Sequence, residues 1–273
     1  MVSNKSNWLL KLVDEKHYND FIEKGEIFFG DVKRYQDIER EELNKGIGDK
    51  NDSHVSFSKQ DLLDINISLA VKYGDKDITL LNDDIAELDG ESLGYTPNAS
   101  IFCSIKILLS DLLEKKKFKS DINQSNLFDD NYRKKVVLIT DKNELLRRIE
   151  KSAYEKGDLD YNDVTYKKDL QNYLRPKLIK SFADNKLLSK FNKEVVFSKD
   201  LYFSNQRETR FAIFRKNVKN KVIFNVVDDN MVDVSTNQNY EDIKIYVGNI
   251  SDITVTFDSI DSFLERVKLV IPK

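Results

Sequence analysis

The stretch from Phe197 to Phe214 brings together the side chains best suited to chemistry. It reads Phe-Ser-Lys-Asp-Leu-Tyr-Phe-Ser-Asn-Gln-Arg-Glu-Thr-Arg-Phe-Ala-Ile-Phe. An aromatic run enters a polar turn, and the turn leads into a strongly apolar strand. Gln206 and Glu208 are two residues apart, so an extended backbone aims both at one face. A carboxylate beside an amide at the start of a strand can stabilise a developing cation and orient a nucleophile. Arg207 and Arg210 flank that carboxylate, and the competing reading is an ordinary structural ion pair.

Other reactive residues are sparse. The chain has one cysteine, Cys103, and two histidines, His17 and His54. A lone cysteine excludes an intramolecular disulfide, and a cysteine-based zinc site lacks its ligands. Cys103 lies in an apolar run and reads as an inert core residue, and His17 as a surface or capping residue. Asp49 and Asp52 have no regular cation-ligand spacing. Lys115, Lys116, Lys117 and Lys119 read as a solvated helix end rather than a phosphate site. There is no phosphate-cradling glycine loop, no G-x-S-x-G, no H-E-x-x-H and no paired C-x-x-C.

The elements that must position Glu208 follow from pattern. Trp8–Val13 reads as a strand, Asp14 as the cap of a short helix that runs to about Lys24 and is ended by Gly25, and Glu26–Phe29 as a second strand. Tyr35–Asp52, with Gly46 and Gly48, reads as a helical turn and then a loop. Val55–Phe57, Ile65–Tyr73 and Ile78–Leu81 read as strands, the last two split by the turn Gly74–Asp77. Ala99–Leu109 is the strongest buried-strand candidate, and Val136–Ile139 is a compact β-branched strand. Asp141 starts a helix to about Tyr154, with Leu145, Leu146 and Ile149 on one face. Val164–Tyr166 reads as a strand, and Leu170–Phe191 as helix broken near Pro176. The last third is β-rich: Thr209–Arg215, Val222–Val227, Ile243–Val247 and Ile253–Phe257. A final helix, capped by Ser259 or Asp261, ends near Lys268. Helices scattered among short strands without βαβ regularity predict an α+β protein with mixed, mostly antiparallel sheets and flanking helices. Without a Pro/Gly/Ser-rich linker, residues 1–273 read as one domain with a helical insertion around 141–192.

Of the 273 residues, 40% are hydrophobic and 11% aromatic, which is enough for a sizeable core. Lys and Arg number 44 against 47 Asp and Glu, a net charge of -3 that disfavours wholesale wrapping of nucleic acid. No run approaches the apolar length of a membrane span. Trp8–Val13, broken by Lys11, is too short for a signal-peptide core. The expected setting is therefore cytoplasmic, with no membrane partner.

The order of segments resembles the ADP-ribosyltransferase-like superfamily, and more closely a branch of uncharacterised bacterial proteins associated with phage defence. Trp8-Leu-Leu-Lys-Leu-Val13, a helix and Gly25-Glu-Ile-Phe-Phe29 look like its first strand, helix and second strand. Gly48-Asp49 is similar to its acidic loop. Phe102-Cys103-Ser104 looks like the central strand that carries a serine. Gln206-Arg207-Glu208 looks like its Q-x-E turn, and Glu208-x-Arg210-Phe211 like the start of the strand after it. Ile245-Tyr246-Val247-Gly248 is similar to a late strand and glycine turn. The resemblance implies an effector, a toxin or an anti-phage factor, that moves ADP-ribose from NAD to a macromolecular target, protein or nucleic acid. Glu208 would bond the nicotinamide-ribose hydroxyl and favour an oxocarbenium-like transition state, and Gln206 would position the acceptor. Ser100 or Ser104 would support the nicotinamide pocket. The family carries Arg or His on the first strand to hold NAD; here Lys11 stands in its place, a point charge without the bidentate fork. On this reading Glu208→Gln abolishes activity with little loss of folding. The alternative implied by the same scaffold is a non-catalytic protein-binding or assembly protein.

Overall fold

Ala99–Leu108 sends apolar side chains to both faces, and a strand built that way has to run through the middle of a sheet. In a computed structural model that describes residues 5–36, 52–63, 69–73, 76–80, 93–124, 134–181, 184–215, 225–226 and 242–267, it does so. In chain order the first elements are β1 (Lys5–Asp14), α1 (Tyr18–Glu23), β2 (Glu26–Asp31) and a helical turn at 32–36. There follow β3 (Val55–Phe57), α2 (Lys59–Leu63), β4 (Leu69–Tyr73), β5 (Lys76–Leu80), β6 (Leu93–Tyr95) and β7 (Ala99–Leu108). Next come α3 (Leu109–Leu113), α4 (Lys115–Gln124), β8 (Lys134–Ile139), α5 (Lys142–Ala153), β9 (Gly157–Asp163) and β10 (Thr165–Lys167). The chain continues through α6 (Leu170–Ser181), α7 (Asn185–Val196), β11 (Ser198–Asp200), a 3-10 turn (Leu201–Gln206) and β12 (Glu208–Arg215). The last are β13 (Asn225–Val226), β14 (Ile243–Tyr246), β15 (Thr254–Phe257) and α8 (Ile260–Arg266). Most of the Tyr35–Asp52 segment, with Gly46, Gly48 and Asp49, lies outside the described residues. So do the Gly74-Asp75 turn, Val222–Phe224 and Lys268.

Among the described residues the main sheet has eight strands, in the order β14-β2-β7-β1-β8-β15, with β12 on β7 and β9 on β12. Its pairings are antiparallel. The protein is thus α+β with a mainly antiparallel sheet, as its pattern predicts. On one edge of β7, β12 pairs continuously from Ala99 to Ile105. The other edge is shared: β2 pairs at Ile101 and Ser100, whereas β1 pairs from Ile105 onward. Between them β1 and β2 diverge, and the sheet opens opposite Phe102–Ser104.

One face of the sheet carries a large apolar cluster including Phe21, Phe29, Phe102, Phe211, Val137 and Ile149. Phe102 sits at its centre, with ring centroids 6.0 Å from Phe29 and 5.8 Å from Phe211. Gly25 joins α1 to β2 at φ +60, where a Cβ would lie 2.1 Å from the Gly248 carbonyl oxygen. Glycine is required there by both backbone and space.

At Pro176 the structure differs from the local expectation. Helix α6 runs through Pro176 rather than breaking there. Pro176 and Asn172, whose carbonyl loses its donor, are both exposed, so the freed oxygen lies on the solvent side of the helix. The next helix starts instead at Asp184, whose side chain accepts from the Lys186 N–H. Residues 141–192 contain α5, α6 and most of α7, but also strand β9, which enters the main sheet through β12.

Candidate functional site

The opening in the sheet is the floor of a cavity of about 600 Å³. Lys11 from β1, Phe28 from β2 and Cys103 and Ser104 from β7 line it, with Glu208 and Arg210 from β12 and Lys199 from β11. Glu208, Ser104 and Lys11, named from three distant parts of the sequence, therefore meet at one site. Gln206 and Ser100 are buried but do not line the cavity. The Ser100 hydroxyl accepts a hydrogen bond from Arg215 Nη2 at 2.6 Å. Ser104 Oγ donates to the Thr209 carbonyl at 3.2 Å, pinning β7 to β12.

Glu208 is fixed through its main chain. Its N–H donates to the Tyr166 hydroxyl at 2.8 Å, and its carbonyl accepts from the Val164 N–H at 2.9 Å. Arg207, before it, adopts φ 51 and ψ 44, which turns the chain sharply into β12. Of the two flanking arginines, only Arg210 reaches the Glu208 carboxylate. Arg207 instead donates to Asp111 at 2.7 Å and lies over the Phe118 ring.

Around Glu208 four buried ions form a closed set. Arg210, with no exposed surface, donates from Nε to Glu208 Oε2 at 2.8 Å. Its Nη1 and Nη2 reach Asp52 Oδ1 and Oδ2 at 2.8 and 2.7 Å, and Nη1 also reaches the Val196 carbonyl at 2.7 Å. Lys199 Nζ donates to Glu208 Oε1 at 3.0 Å and to Gln206 Oε1 at 2.7 Å, and lies 3.7 Å from Asp52 Oδ2. Two anions face two cations, so the set is neutral as a whole. Burial by itself would raise the Glu208 carboxyl, but Arg210 and then Lys199 outweigh it and hold it well below the ordinary carboxylate range. Gln206, expected to position an acceptor, is the partner of Lys199.

Lys199 carries no signal of this role in the sequence, and Asp52 reads there only as a candidate cation ligand. Lys199 stood in the aromatic run without a partner pattern, and Asp52 reaches the site from 158 residues away. No group of three or more His, Cys, Asp and Glu side chains suited to a metal ion occurs among the described residues. No described helix is long and apolar enough to cross a membrane.

Lys11 behaves differently from the buried four. Its Nζ donates to the Cys103 carbonyl at 2.7 Å and sits 4.5 Å from the Phe102 ring centroid. Cys103 aims its backbone groups into the opening between β1 and β2, so Lys11 satisfies a carbonyl that has no strand partner there. Burial lowers the Lys11 ammonium below the usual lysine range, and Lys134 adds to this against the pull of Glu208. Burial also pushes the Cys103 thiol up, to about 12. Farther out, Lys16, His17, Arg34, Lys134 and Lys244 complete the lining, so cations outnumber the acids Asp14, Glu26, Asp52 and Glu208.

The fold and site define an α+β protein with a cation-rich cleft opening onto a buried, neutral four-ion cluster. Compared with known protein families, curated proteins and solved structures, the chain has no match.

Proposed function

We propose that the cleft binds NAD and that the protein is an ADP-ribosyltransferase-like effector acting on a macromolecular acceptor. The observation that carries this reading is the convergence of an ionised Glu208 with Lys11 and Ser104 in one cavity. A volume of about 600 Å³ falls within the roughly 300–1,000 Å³ of small-molecule sites. Phe21, Phe28 and Phe102 offer aromatic walls, and the surplus of lysines suits a dianionic pyrophosphate.

Glu208 keeps lone pairs beyond those engaged by Arg210 and Lys199, and one can accept a ribose hydroxyl. The fixed carboxylate then stabilises the positive charge that develops as the bond from ribose C1 to nicotinamide nitrogen breaks. Nicotinamide leaves as a neutral ring; the acceptor's lone pair forms the new bond to C1, and its proton passes to solvent. On this reading Ser104, which lines the cavity as Ser100 does not, is the serine that would support the nicotinamide.

A second reading has its own support. Both Glu208 oxygens already accept from buried cations, which suits a non-catalytic sensor or assembly protein that binds its ligand without turnover.

The experiment is NAD binding by calorimetry together with nicotinamide release, on wild type and on the double variant Glu208→Gln/Lys199→Met. That variant removes the carboxylate while keeping the cluster neutral. Release by wild type and none by the folded double variant supports the transferase reading. Binding without release favours the sensor, and no binding overturns both uses of NAD.

A further inference from the structure

Among the cationic side chains that reach the cavity floor, Lys199 and Arg210 are each paired with a carboxylate within 3.0 Å. Lys11 is not: among the described residues its partners are a backbone carbonyl and the face of an aromatic ring. An amine held in this way is desolvated without being locked into an ion pair, and that is how a lysine becomes a nucleophile toward carbonyl carbon. Beside it on the cavity wall, Lys16, His17 and Lys134 offer an anion a place to dock.

We propose that Lys11 is a Schiff-base-forming residue and that the cavity takes aldehydes or ketones bearing a phosphate group. The Lys11 nitrogen lone pair adds to the carbonyl carbon, and the carbonyl oxygen takes up the proton that the nitrogen gives up. The resulting carbinolamine loses water to leave a carbon–nitrogen double bond, so nothing is oxidised or reduced. Burial lowers the Lys11 ammonium below the ordinary lysine range, so more of it is free amine at a given pH than for an exposed lysine. The lysines at the mouth hold the phosphate, and Phe102 keeps water from the imine.

The proposal stands apart from the ADP-ribose reading, and its test needs no enzymatic activity. The intact protein is incubated with pyridoxal 5′-phosphate, reduced with borohydride, digested and mapped by mass spectrometry. Lys11 is expected to label faster than the exposed Lys151 and Lys156. Pyridoxal without its phosphate should label Lys11 more slowly. Lys11→Arg, which keeps a donor for Cys103 but cannot form an imine, should show only background labelling. Equal labelling of Lys11, Lys151 and Lys156, or no labelling of Lys11, overturns the proposal. Equal rates with pyridoxal and its phosphate overturn the phosphate subsite. Nicotinamide release by a protein whose Lys11 never labels would remove this inference and leave the transferase reading standing.

Discussion

Arg210 and Asp52 meet as a two-pronged pair, Nη1 on Oδ1 at 2.8 Å and Nη2 on Oδ2 at 2.7 Å, across 158 residues of sequence. The pair fastens the segment at 52–54 to the middle of β12 and leaves Arg210 Nε directed at Glu208.

Removing one partner strands a buried charge, so Asp52→Asn should lower the unfolding free energy by about 3–5 kcal/mol. Glu208→Gln should lose a similar amount, which revises the expectation of little folding cost. The double variant Glu208→Gln/Lys199→Met should recover most of that loss, because one charge of each sign is gone. Urea unfolding of the three variants checks this; equal stability of the single and double variants would show that net charge is not what the cluster balances.

Acid should loosen the same cluster. Glu208 titrates lower in the folded chain than its ordinary 4.5, so its stabilisation is complete above that value. It is lost as pH falls toward the folded value. Asp163 and Glu194 share the direction of shift, so the useful quantity is a difference. Tm measured from pH 7 to 3 should fall more steeply for wild type than for Glu208→Gln/Lys199→Met.

Gly25 and Gly248 both have positive φ but differ in room: a Cβ at Gly25 meets the Gly248 oxygen, whereas one at Gly248 meets nothing within 4 Å. Gly248→Ala should cost about 1–2 kcal/mol, the backbone penalty alone. Gly25→Ala should cost clearly more. Chemical denaturation of the two variants separates steric from conformational strain.

Cys103 lines the cavity but should alkylate slowly. Raising its thiol from 9.0 to about 12 leaves about a thousandfold less thiolate at neutral pH. Iodoacetamide should react with the folded protein far more slowly than with the protein in urea, with the rate climbing through alkaline pH.

Much of this architecture was legible from side-chain pattern. The two-faced burial of β7 and β12 marks them as central strands. The Asp141 and Ser259 caps lie where the structure has them, each accepting from the N–H three residues on. Strand β9 escaped because Asp158, Asp160 and Asn162 are poor strand formers; only the alternation of Leu159 and Tyr161, which pack on the core, betrays it. Pro176 misled because its exposure, which makes it tolerable, is a tertiary property. Glu208 stands out by its spacing with Gln206, but the extended backbone assumed for that pair is absent: Gln206 ends a 3-10 turn and Arg207 is left-handed, so the two converge through Lys199 instead. Lys199 and Asp52 do not stand out, since their roles depend on which loop and strand end come to rest beside β12.

The pairing of β2 with β14 has a consequence for how the chain matures on the ribosome. Tyr246 bonds Glu26 across 220 residues, so the outer rim of β2 lacks this mate until synthesis has passed Tyr246. Until then Ile27 and Phe29 wait beside an unfinished ladder, a state prone to sticking to neighbours. Closure should therefore be late and slow, governed by a long-range encounter rather than by helix formation.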